Sequence, residues 1–170
     1  MKKKVEKKLY NLMLGEFSAL IMFAFIWVIY IYILDNFDHY LTSMQNIYAF
    51  ILLEFILLQG SIYWYLKWRK VKDNKSYNLS DSQLYIFLWL RRINIFLLCL
   101  GFIIFLKNTN YSPINFNGFY LFLYCFALIE YINYYHLRLS YQTPQEIKEF
   151  FRQKGLRRSI LARELSNIGK

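Results

Sequence analysis

Long apolar stretches alternate with short polar ones along this chain. The apolar stretches run from Phe17 to Leu34, Tyr48 to Leu66, Leu84 to Leu106 and Gly118 to Tyr135. Each approaches the roughly 20 residues that an α-helix needs to cross a hydrocarbon core. Lipid offers backbone N–H and C=O groups no partners, so the pattern predicts helices and excludes an open sheet. The expected fold is all-α: an integral membrane four-helix bundle over residues 1–141, then a short amphipathic helical tail in the cytoplasm over 142–170. The connections Asp35–Ile47 and Lys107–Asn117 are short. Spans one and two should therefore pair as an antiparallel hairpin, and so should spans three and four. In the longer loop Lys67–Gln83, Ser80 or Asp81 is placed to cap the third helix, with Gln83 in its first turn.

The basic residues orient this bundle. Of 21 Lys and Arg, all but Lys107 fall on one side of the arrangement. Basic loops stay in the cytoplasm, which puts both termini there and makes the chain a multi-pass protein of the plasma membrane. A net charge of +10 in a chain that is 57% hydrophobic and 21% aromatic does not point to nucleic acid. Its confinement to membrane-flanking segments points to anionic inner-leaflet headgroups, where each Lys or Arg contributes about 1 kcal/mol. The leader MKKKVEKK resembles a secretory n-region, but the apolar run after it is long and no small-residue cleavage pattern precedes Asp35. It reads as a retained first span. The bias toward Lys, Asn, Ile, Tyr and Phe suggests an AT-rich bacterial genome. Cys99 and Cys125 fall mid-span, lack a CxxC arrangement and read as small apolar residues with no disulfide.

Aromatic residues gather where interfaces are expected: Trp64, Tyr65 and Trp68 at the inner end of span two, Tyr40 and Tyr48 toward the outer face. Their reading is anchoring and packing. Gln59-Gly60-Ser61 reads as a place of close helix approach. In the tail, Thr143-Pro144-Gln145-Glu146 has the form of a capping box opening a helix to about Lys154. A second helix, Leu156 to about Asn167, carries Leu156, Ile160, Leu161 and Leu165 on one side and Arg157, Arg158 and Arg163 largely on another. A basic amphipathic helix lying on the inner leaflet is expected, its arginines meeting lipid headgroups.

Charges inside the spans are expensive and need partners. At about 1.5 Å per residue, Arg91 lies about 11 Å from the inner edge and Glu130 about 12 Å from it. The spacing predicts an Arg91–Glu130 ion pair, supported by Asn94, Asn133 and Tyr134 on the same faces. Arg92, turned about 100° away, is expected to snorkel toward phosphates. Glu54 has no cation at its level. It is read as a neutral carboxyl bonded between helices, with a proton- or cation-exchanging site as the alternative.

The stretch Glu130-Tyr131-Ile132-Asn133-Tyr134-Tyr135-His136-Leu137-Arg138-Leu139-Ser140-Tyr141 and the basic run Leu156 to Leu165 resemble the end of a group of small uncharacterised four-span bacterial membrane proteins. Some of these are loosely labelled general stress proteins. The resemblance covers about the last 40 residues and the four-span outline; it directs attention to Glu130, Asn133, Arg138 and Ser140. No P-loop, GxSxG or HExxH motif occurs, and His39 and His136 fall on opposite sides. Neither a catalytic site, a metal nor a cofactor is expected. A non-enzymatic membrane protein with an envelope or stress-related role, or one that docks a protein partner or a second copy, fits best. The alternative is a small proton-coupled exporter using an intramembrane Glu. Span one, taken as Phe17–Leu34, holds no acid, which counts against four-span exporters whose Glu lies there.

Overall fold

The computed structural model describes residues 2–33, 42–74, 76–109, 114–139 and 157–168. They form five helices: α1 (Lys2–Ile33), α2 (Met44–Lys72), α3 (Asp81–Thr109), α4 (Ile114–Tyr135) and α5 (Ile160–Leu165). The described residues contain no strand, only an isolated antiparallel bridge between Leu137 and Arg158. Three helices, α1, α2 and α3, are long and apolar enough to cross a membrane. Each outlasts its predicted apolar stretch. The leader from Lys2 is helical and continuous with span one, so α1 reaches about 48 Å at helical rise.

The contacts set the direction of each helix. Trp27 stacks on Phe50 at 4.2 Å and Tyr10 meets Trp68 at 5.6 Å between ring centroids, so α1 and α2 run antiparallel. The Tyr120 hydroxyl donates to the Gly101 carbonyl and Tyr124 to Leu98, which does the same for α3 and α4. The two expected hairpins are present. The helices α2 and α4 run in the same sense and touch across the middle. The helices α1 and α3 lie on the flanks, and this explains their exposed apolar faces, from Phe25 and Met22 to Trp89 and Phe96. Leu53, Ile56, Leu57, Tyr120 and Ala127 are in the buried core.

A local signal starts α3 as expected, and another ends α2. The Gln83 side chain accepts a hydrogen bond from the Ser80 backbone N–H at 3.2 Å, returning half of a capping box at the start of α3. Past the end of α2, Asn74 takes φ 57°, the left-handed conformation that asparagine tolerates. Gly60 is the close approach that its sequence neighbours implied: a Cβ there would lie 2.3 Å from Cζ of Tyr134. Gly60→Ala is therefore expected to cost about 1–3 kcal/mol by overpacking, seen as a lower melting temperature in detergent. In a Tyr134→Leu background the same change should cost much less.

The tail departs from expectation. Helix α5 is capped by Ser159, whose hydroxyl accepts from the Ala162 N–H at 2.9 Å. The Ser159 hydroxyl also donates to the Tyr134 carbonyl. Leu161 and Leu165 are buried against α3 and α4. The apolar side of this helix therefore faces protein, not the lipid surface that its amphipathicity suggested. The helix predicted from Thr143 to Lys154 lies outside the described residues, as does Tyr40.

Candidate functional site at the basic end of the bundle

The basic end gathers the start of α1, the end of α2, the start of α3, the end of α4 and helix α5. Polar side chains that face inward here form three groups.

The first is a buried amide belt. The Gln59 Nε2 donates to the Asn94 Oδ1 at 3.0 Å, and the Asn94 Nδ2 returns a bond to the Gln59 Oε1 at 2.7 Å. The Tyr135 hydroxyl donates to the same Gln59 oxygen at 2.7 Å. Asn94 is fully buried and Gln59 nearly so. These bonds tie α2, α3 and α4 together where no water can substitute.

The second group centres on Tyr134. Its hydroxyl donates to a carboxylate oxygen of Glu16 on α1, and Glu130 lies beside the same hydroxyl. The Asn133 Nδ2 donates to Glu130 at 3.2 Å, and the Asn133 Oδ1 accepts from the Leu139 N–H at 2.9 Å, closing the turn after α4. Two carboxyl groups from different helices thus meet around one phenol. Glu16 and Tyr134, though not Glu130, line a cleft of about 400 Å³ between α1, α2, α4 and the tail. Leu9, Leu12 and Trp64 give it mostly apolar walls, Glu16 and Tyr134 are at one part of it, and Lys8 and Arg138 also border it.

The third group holds the tail. Lys67, fully buried, forms an ion pair with Glu164 of α5. The Lys67 ammonium also sits 3.7 Å from the centre of the Tyr77 ring. The Tyr63 hydroxyl donates to the other Glu164 oxygen at 3.3 Å. Burial, and then the negative Glu164, push the Tyr77 hydroxyl above its ordinary pKa, so the ring faces Lys67 as a neutral phenol.

The structure separates the predicted ion pair. Glu130 takes Asn133 and Tyr134 as partners, while Asn94 goes to Gln59; no ion pair joins Arg91 to Glu130 among the described residues. Helical rise puts both residues at one level but does not fix the rotation of α3 about its axis. Arg91 lies instead near His136, and burial followed by that charge holds the imidazole below the ordinary histidine range. The Arg92 guanidinium stands 5.4 Å from the centre of the Trp89 ring, one flank of its own helix. Tyr48, read as an anchor, donates to the Leu97 carbonyl at 2.6 Å and bridges α2 to α3. The Glu54 Oε1 is buried with no hydrogen-bond partner among the described residues, so the carboxyl expected to bond between helices has no such bond at that oxygen. Arg157, Arg158 and Arg163 are exposed, and Cys99 and Cys125 are free and face outward. No group of three or more His, Cys, Asp or Glu able to hold a metal occurs among the described residues.

Glu16, Lys67 and Glu164 were not singled out from the sequence. Glu16 had a signal: Leu9, Leu12, Glu16, Leu20, Phe23 and Trp27 repeat every three or four residues, which is one helix face. Starting span one at Phe17 hid it. Lys67 looked like one more topogenic charge in KWRK, and only the fold could pair it across 97 residues with Glu164. Compared with protein-family profiles, curated proteins and solved structures, the chain matches none.

Proposed function

We propose that this chain is a non-enzymatic, four-span protein of the bacterial plasma membrane with both termini in the cytoplasm. Its role is envelope- or stress-related and is exercised from the basic end, where it meets anionic lipid or docks a partner. The observation that carries this reading is the docked tail. With Leu161, Leu165 and Glu164 turned inward, Arg157, Arg158 and Arg163 form an outward basic face whose position the bundle holds. The fourth span, α4, is supported by its hydrogen bonds. Five tyrosines lower its hydropathy, but the hydroxyls of Tyr120, Tyr124, Tyr134 and Tyr135 all donate within the protein, and that of Tyr131 lies 3.3 Å from the His136 ring nitrogen. Lipid would meet few bare polar groups there.

The test is a growth assay of a deletion strain under bile salt, acid, cationic peptides and lipophilic cations. Broad sensitivity is expected, restored by the wild-type chain but not by one with Arg157, Arg158 and Arg163 all changed to Gln at equal protein level. Full rescue by that triple variant would remove the docking role. A reporter fused after Lys170 that is active only outside the cytoplasm would overturn the topology.

A second reading, a proton-coupled exporter, gains from one observation. Counted from Phe17, the first span lacked an acid; counted as the continuous helix α1, it carries Glu16 on its inward face, bonded to Tyr134 across the bundle. Sensitivity confined to lipophilic cations, and rescue that needs Glu16, would favour it.

A further inference from the structure

We infer that two copies of this chain pair in the membrane through the outward face of α2, with their Glu54 carboxyls hydrogen-bonded to each other across the interface. This goes beyond the role proposed above and rests only on α2 lying in the bilayer.

Spacing and exposure define the face. Met44, Ile51, Leu58 and Tyr65 recur at heptad spacing along α2, and all four are exposed. Gly60, which packs on Tyr134 of α4, lies about half a turn around the helix axis from Ile51. The stripe is therefore the side of α2 turned away from the core. Apolar residues in lipid need no cover, but a heptad repeat is the spacing that keeps one seam against a neighbouring helix over several turns. Beside the outer end of the stripe is a hollow of about 610 Å³ bordered by Met44, Ile47, Ile51 and Ile104, with room for a neighbour's side chains.

Glu54 identifies the occupant. Placed between Ile51 and Leu58 at helical i+3 and i−4 spacing, it sits on the flank of the stripe. The residue is half-buried, and its Oε1 has no hydrogen-bond partner among the described residues. Lipid cannot supply the missing bond. A neutral carboxyl both donates and accepts, so its natural complement is a second carboxyl. Copies inserted the same way present parallel α2 helices, and a two-fold pair sets each residue opposite its own copy at the same depth. That brings Glu54 to Glu54, whereas a partner of different sequence would need its own polar group at that level. Polar side chains that bond between helices are a recurrent source of association in membranes.

The test uses the full-length chain in membranes, with Cys99 and Cys125 changed to alanine and one cysteine introduced at a time. Under a membrane-permeant oxidant, Ile51→Cys and Leu58→Cys should form disulfide-linked dimers, because a two-fold seam brings their Cα atoms within the roughly 7 Å that a disulfide needs. Met22→Cys and Phe96→Cys, on exposed faces of α1 and α3, should yield little dimer. In the Leu58→Cys background, Glu54→Leu should lower the dimer yield about fivefold, the size of one interhelical hydrogen bond in lipid. Glu54→Gln, whose amide also donates and accepts, should keep most of it. Equal yields at all four cysteines, or a linked product whose mass shows a different protein, overturn the inference on chains with Glu54 intact. So does a Glu54→Leu chain that melts as the wild type does and links as well. A chain recovered outside the membrane would overturn the four-span reading and this pairing together; a membrane-bound chain that does not link through α2 overturns the pairing alone.

Discussion

Glu164→Ala should free the tail helix from the bundle. The change leaves the Lys67 ammonium buried and unpaired, which costs about 3–5 kcal/mol where the geometry cannot relax. It also orphans the Tyr63 hydroxyl, which donates to Glu164. The protein can escape most of this cost by undocking α5 and letting water reach Lys67. The bundle should therefore lose only the docking energy of the tail in its melting, while the tail itself loses protection. Trypsin cleavage after Arg157 and Arg158, and rapid hydrogen exchange at the Ala162 and Arg163 amides, are the readouts. The double variant Lys67→Met with Glu164→Leu should keep the tail protected, because removing both charges leaves nothing buried without a partner. A tail as well protected in Glu164→Ala as in the wild type would show that the Lys67–Glu164 pair is not what holds it, leaving Leu161, Leu165 and the Ser159 bonds to do so.

Gln59→Leu should be the most damaging single change inside the bundle. One side chain makes three hydrogen bonds to two others: it bonds Asn94 in both directions and accepts from Tyr135. Leucine fills similar space but leaves the Asn94 amide and the Tyr135 hydroxyl buried without partners. Each such loss costs about 1–3 kcal/mol. The melting temperature in detergent should fall sharply, and adding Asn94→Leu should recover part of it because the orphaned amide is removed. If the double variant melts no higher than Gln59→Leu, Gln59 and Asn94 do not act as one unit.

Both effects lie at residues whose partners are far away in the chain, which shows how legibility divided. The helices were readable because apolar runs in lipid have one backbone solution. The Ser80–Gln83 cap and the Gly60 approach were readable because their signals are local. Arg91 and Glu130 illustrate the limit. Depth along a helix follows from counting residues, but the direction a side chain faces depends on how the helix is rotated against its neighbours. That rotation is set by packing. Here Tyr135, Gln59 and Asn94 claim the seam between α2, α3 and α4, and Glu130 turns toward α1. The tail shows the same limit. An amphipathic helix announces that its apolar side will be covered, and composition cannot say whether lipid or protein covers it.

What the sequence determined by itself is the all-helical character, the three long apolar helices and the gathering of positive charge at one end. Each follows from a rule that acts on consecutive residues: hydrogen-bond satisfaction in lipid, helical rise and the cost of placing charge in hydrocarbon. Only the tertiary structure decided that Glu16 meets Tyr134 beside a cleft, that Gln59 rather than a charge links the central helices, and that Lys67 and Glu164 clamp the tail. Those pairings span 118, 35 and 97 residues. At such separations no local spacing encodes contact, and the choice falls to the packing arrangement that leaves fewest buried polar groups alone.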